Sequence, residues 1–256
     1  MTNWTIERQE SIQIDDVIIY FDIVGDSSKA PLVMLHGGVG SIEDFDVLTP
    51  SLSQDYQLIR IDSRGHGRST LGSSELTYQR LEQDVIAVLN YLGIKETAVL
   101  GFSDGGVVGY RLMASNSVVI NKLITIGSDY KLEADSTIYN IYSGVTGQSW
   151  SEKFPDSYRL FNELNPEPNF DAFVAEIVRM WTDTSSSGYP ENTIDQIDGK
   201  VLVIRGDEDF FFPLPAALEL VNRLKDSSFA NVPFAGHETH KDQPEFVCSV
   251  IKQFLL

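Results

Sequence analysis

Three things are scarce in this 256-residue chain: cysteine, positive charge and long apolar runs. A single cysteine, Cys248, rules out an intrachain disulfide framework. It follows Glu245-Phe246-Val247 in a helical pattern and reads as a small buried hydrophobe, with no histidine beside it to activate a thiolate. Nineteen Lys and Arg stand against 37 Asp and Glu, a net charge of −18. A chain this acidic repels phosphate backbones and anionic bilayers, which argues against nucleic-acid binding and membrane-surface association. No apolar run approaches the ~20 residues of a bilayer span. Met1 to Arg8 carries neither the basic nor the apolar region of a secretory signal. The expectation is a cytoplasmic protein, monomer or homodimer, whose partners are small molecules rather than nucleic acid or membrane.

What is present has an alternating texture. Ser11–Asp15 and Val17–Val24 carry β-branched and aromatic residues around Asp15-Asp16, the pattern of an antiparallel hairpin. From Pro31 onward the strands become short continuous apolar runs: Leu32–Leu35, Leu58–Ile61, Ala98–Leu100, Leu123–Ile126 and Val201–Ile204. Such runs suit strands covered on both faces. Between them Leu81, Val85, Val88, Leu89 and Leu92 mark one helix face ending at Gly93. Strand and helix in alternation predict an α/β fold: one domain over 1–256, a mostly parallel sheet and antiparallel N-terminal strands.

The alternation breaks between Ile126 and Val201. Residues 129–198 read as an inserted helical cap, with Phe170, Phe173, Val174, Ile177, Val178 and Trp181 on one stripe. Core packing is the plainer reading of that stripe, ligand contact the alternative. The segment holds 13 acidic and 4 basic residues, half of the protein's net charge, and 11 of its 27 aromatics.

Gly101-Phe102-Ser103-Asp104-Gly105-Gly106 follows the strand ending at Leu100 and opens a helix through Val108, Leu112 and Met113. This is G-x-S-x-G in a strand-turn-helix context, where the glycines admit a sharp turn that presents the serine at the sheet edge. A serine hydroxyl needs a base, and the base an orienting carboxylate. Of four histidines, His36 and His66 sit in glycine-rich turns; His237, in a loop between a short strand, Ser228–Phe234, and the last helix, is the best base. Arg205-Gly206-Asp207-Glu208-Asp209 follows a strand and offers three candidate acids. Two rival motifs fail. A dinucleotide loop has no room for serine at its second glycine, and His237-Glu238-Thr239-His240 has the wrong spacing for a zinc helix, so no metal is expected. His240 reads as a satisfied surface or wall histidine.

These motifs, with His36-Gly37-Gly38 and Asp62-Ser63-Arg64-Gly65-His66-Gly67-Arg68-Ser69, resemble the α/β-hydrolase-fold superfamily over essentially the whole length. The resemblance implies a serine hydrolase of small-molecule esters with no cofactor, and a triad of Ser103, His237 and Asp209, with Asp207 as the fallback acid. It implies an oxyanion hole from the N–H groups of Gly38 and Asp104, and gives Arg64 and His66 to loop architecture. Ser-Asp-Gly-Gly and the cap length are similar to the biphenyl-hydrolase-like and valacyclovir-hydrolase-like carboxylesterases. In that branch Asp104 would bind a substrate ammonium; otherwise it merely suits the first turn of its helix. The same superfamily leaves open a carbon-carbon bond hydrolase, a cofactor-free perhydrolase and a non-catalytic receptor.

Overall fold

The computed structural model describes residues 4–256. Eight strands form one sheet in the order β1-β2-β4-β3-β5-β6-β7-β8. They are β1 (Ile6–Ile14), β2 (Val17–Val24), β3 (Pro31–Leu35), β4 (Gln57–Ile61), β5 (Glu96–Phe102), β6 (Val119–Ile126), β7 (Lys200–Gly206) and β8 (Asp226–Val232). β1 and β2 form the antiparallel hairpin, β2 meets β4 antiparallel, and the remaining pairs are parallel. Helices α1 (Thr49–Leu52), α2 (Tyr78–Tyr91), α3 (Asp104–Ser115), α8 (Leu214–Arg223), α9 (Thr239–Asp242) and α10 (Pro244–Leu255) flank the sheet.

The sheet separates two apolar cores, which is why its central strands read as unbroken hydrophobic runs. Alternate residues enter opposite sides: Val33, Val99, Leu123 and Val203 join one cluster, Leu32, Leu100, Ile124 and Ile204 the other. The second cluster also takes Val247, Cys248 and Ile251 of α10, so Cys248 is a buried hydrophobe as expected. Several strand boundaries differ from the sequence pattern, two of them for a clear physical reason. β1 begins at Ile6 rather than Ser11, because its exposed, charged first half is an edge segment held by ladder bonds to β2 and has no buried face to announce it. β8 ends at Val232 because Pro233 has no N–H to donate and Phe234 turns to φ 59°.

Between β6 and β7 the chain runs through α4 (Thr137–Ser143), α5 (Gly147–Lys153), α6 (Pro155–Leu164) and α7 (Phe170–Trp181), then a short 3-10 turn, Glu191–Gln196. The α7 stripe is buried at Phe170, Phe173, Val174, Ile177 and Trp181, while Val178 is only partly covered. This insertion is fastened to loops at the carboxyl edge of the sheet. Buried Asn165 donates its side-chain amide to the carbonyls of Gly65, Gly67 and Ser69, and Ser157 Oγ donates to Val39 O. Among the described residues no helix is long and apolar enough to cross a membrane.

Candidate active site

The parallel strands deliver their following loops to one edge of the sheet. Ser103 follows β5 at φ 49° and ψ −115°, a sparsely populated conformation for a non-glycine residue. Two glycines allow it. A Cβ on Gly105 would collide with the backbone of Leu35, and one on Gly101 with the backbone of Gly105. The turn is closed from the neighbouring strand by Ser103 N–H donating to Ile126 O at 2.8 Å.

His237 lies in the loop after β8, and Asp209 in the loop after β7. The Ser103 Oγ to His237 Nε2 distance is 3.0 Å, and His237 Nδ1 lies 3.0 and 3.1 Å from the two Asp209 oxygens. In the tautomer this geometry demands, Nδ1–H donates to Asp209 and Nε2 accepts the Ser103 hydroxyl. Asp209 is almost wholly buried, and its Oδ1 also accepts the N–H groups of Phe211 and Phe212, which fix the carboxylate. The imidazole is flanked by the Phe102 and Phe211 rings, each 5.2 Å away between centroids. Asp207 does not reach His237; its carboxylate accepts Ala235 N–H at 3.3 Å. Three residues nominated from different loops thus meet in one hydrogen-bonded chain, and the fallback acid stands outside it.

Gly37 and Gly38 follow β3. A Cβ on Gly37 would lie 2.8 Å from the Phe102 ring and 3.2 Å from Ser103 Cβ, so this backbone packs directly on the serine turn. Among the described residues neither Gly38 N–H nor Asp104 N–H donates to a protein acceptor. The loop is held by His36, whose Nδ1–H donates to Gly37 O while Nε2 accepts Ser63 N–H.

The Asp104 side chain does not cap its own helix. It is 7% exposed and accepts two hydrogen bonds from other elements: Tyr78 Oη of α2 on Oδ1 and Trp181 Nε1 of α7 on Oδ2, both at 2.8 Å. Burial raises its pKa, opposed by those two bonds. Burial together with the Asp104 charge keeps the Tyr78 hydroxyl protonated, far above its usual range. Neither Tyr78 nor Trp181 stood out from sequence. Trp181 merged into the apolar stripe of α7, and its N–H, the polar end of an otherwise core-like ring, was the only available signal.

Of the other nominated residues, Arg64 is fully buried and forks onto Asp84 of α2 at 2.9 and 2.7 Å, serving the loop's architecture. His66, also buried, has its pKa driven down to about 3 by burial and the neighbouring His36. His240 departs from expectation: it is not a satisfied surface or wall residue but fully enclosed between Phe45 and Phe102, and among the described residues neither ring nitrogen has a hydrogen-bond partner. The physical reason is the tight turn of α9, which points it into the core under β5 while His237 faces Ser103.

A cavity of about 310 Å³ opens at Ser103, within the range of small-molecule sites. Its charged lining is Asp104, Asp129, Glu133, Glu219 and Lys131. The lysine is engaged by Glu219 at 2.9 Å and Glu133 at 3.3 Å, and burial lifts Asp129 to about 6. Tyr142 and Phe211, stacked with centroids 5.9 Å apart, add apolar wall.

Residues 32–250 fit the model of the alpha/beta hydrolase family. The chain belongs to that family. The alpha/beta hydrolase relatives include the esterase YbfF of Escherichia coli strain K12, 24% identical over 239 residues, covering 89% of this chain and 94% of that one. The mouse serine hydrolase BPHL is 25% identical over 264 residues, covering 98% of this chain and 87% of its own. Among solved structures, a carboxylesterase of the thaumarchaeon Nitrososphaera gargenis has the same alpha/beta hydrolase fold at a TM-score of 0.80, with 19% identity and 97% of each chain covered.

Proposed function

We propose that this alpha/beta hydrolase cleaves small carboxylic esters through an acyl-enzyme on Ser103. The observation that carries the reading is the unbroken chain from Asp209 through His237 to Ser103 Oγ. His237 Nε2 takes the hydroxyl proton as Oγ attacks the ester carbonyl, then returns it to the leaving alkoxide. Asp209 orients the ring and stabilises the imidazolium that forms. The N–H groups of Gly38 and Asp104 receive the oxyanion, and removing one such donor typically costs ~2.7–4 kcal/mol of transition-state stabilisation. Water, activated by the same histidine, then releases the acyl group. The residues 129–198 act as the lid over this chemistry. The esterase YbfF and the serine hydrolase BPHL among the relatives support the reaction class.

The finer reading is a preference for neutral or cationic esters, with Asp104 facing an aminoacyl ammonium. It is supported by a cavity whose charged lining is four carboxylates and one already engaged lysine. Each Asp104 oxygen retains a lone pair beyond its bond to Tyr78 or Trp181.

The test is covalent labelling by a fluorophosphonate. Rapid labelling of the native chain, abolished in Ser103→Ala, is the expected result. A native chain that stays unlabelled while folded would replace this reading with a binding protein on the same fold.

A further inference from the structure

The insertion does more at this site than cover it. Asp104 places a nearly buried carboxylate directly beside its own backbone N–H and against Gly38; a Cβ on Gly38 would overlap Asp104 Oδ2. Among the described residues no Lys or Arg forms a salt bridge with it. A carboxylate in that place opposes a developing oxyanion, and in a low-dielectric site the opposition is strong. Two neutral donors share its charge, Tyr78 from α2 and Trp181 from α7. Of the two, Trp181 belongs to the insertion, and its ring also packs on Gly38, where Cζ2 would lie 2.6 Å from a Cβ. The indole is braced by Tyr142 and Trp150, 4.9 and 5.8 Å away between centroids, both of them insertion residues.

We propose that Trp181 is a positioning residue for ester hydrolysis: its indole N–H holds the Asp104 carboxylate in place and draws its charge away from the two amides that receive the oxyanion. The insertion thereby completes the reaction centre instead of only screening it from water. This rests on the assignment of Gly38 and Asp104 N–H as the oxyanion donors. An indole acting only as core filling would stabilise the fold equally well, but its contribution to kcat would not depend on the charge at position 104.

That dependence is the test. Trp181→Phe keeps a large aromatic ring and removes the N–H. Its kcat on a neutral p-nitrophenyl ester is expected to fall about tenfold, the scale of a lost bond to a charged acceptor, with KM within about twofold of the native value. Repeated in an Asp104→Asn background, where no charge remains to be held, the same substitution is expected to cost about threefold or less. An equal loss of kcat in both backgrounds, or no loss in the native one, would overturn the proposal. If Asp104→Asn does not fold, the cycle is run between Trp181→Phe and Tyr78→Phe. Two donors to one carboxylate are expected to be non-additive by at least about threefold, and strict additivity overturns the inference. Fluorophosphonate labelling of the native chain separates the two levels: no labelling removes the esterase reading itself, while labelling with an additive cycle removes only the role of Trp181.

Discussion

At the scale of single residues, function depends on which of several equivalent-looking side chains reaches its partner. Asp207 and Asp209 stand two positions apart in one loop, yet only Asp209 meets His237, while Asp207 ties the loop to Ala235. Asp209→Asn is therefore expected to lower kcat by about three to four orders of magnitude, as loss of the orienting charge does in such triads. Asp207→Ala is expected to keep kcat within about fivefold; steady-state rates on one ester distinguish them, and a reversed order would move the acid. His240 carries a different consequence. Burial holds its pKa at about 4 against the ordinary 6.5. Between those values the unfolded chain binds a proton that the folded one refuses, so acidification lowers stability by up to about 1.4 kcal/mol per pH unit from this group. His240→Phe suits the space between Phe45 and Phe102 and is expected to flatten the stability curve from pH 6 to 4.5. Urea melts giving parallel curves for the two proteins would contradict it. The histidine proposed to serve Ser103 is easy to nominate because there are only four; the enclosure of His240 is not legible, since its neighbours Phe45, in a short 3-10 turn (Ile42–Phe45), and Phe102 of β5 lie nearly 200 and 140 positions away.

At the scale of elements, the parallel strands could be read because both of their faces are buried, and α7 because its stripe repeats at helical spacing. The first half of β1 could not, since an edge segment rich in charge looks like a loop until its partner strand is in place. Nor could the way the insertion docks. Asn165 is one amide among many polar residues in sequence, but its Nδ2 is the group that binds three carbonyls of the turn 65–69. Asn165→Ala leaves those buried carbonyls short of a donor, which costs about 1–3 kcal/mol. The expected outcome is a lower urea midpoint together with faster proteolysis between β6 and β7. A midpoint loss without local proteolytic sensitivity would place the damage in the turn rather than in the docking of the insertion.

At the scale of the whole molecule, the net charge of −18 is unevenly felt. Many of the insertion's carboxylates face water, and only a few line the cavity at Ser103. Those few, Asp129 and Glu133, together with Asp104 and Glu219, are proposed to set the field that an incoming substrate meets, and salt screens such a field over a Debye length of about 10 Å at 0.1 M. The value of kcat/KM for a cationic aminoacyl ester is expected to exceed that for an anionic ester of the same size and to fall by about threefold or more between about 0.02 and 0.3 M salt, while a neutral ester changes little. Equal salt responses for all three would leave the acidic lining without a part in selection.

The sequence by itself determined the α/β class, the serine turn, the strand-end loops that bear histidine and acid, and the sign of the charge, because each is written in local spacing or in composition. The tertiary structure decided which carboxylate pairs with His237, that His240 is buried, and that Trp181 and Tyr78 converge on Asp104. Those outcomes depend on where loops and helices far apart in the chain come to rest against one another, and no short-range pattern of residues records such distances.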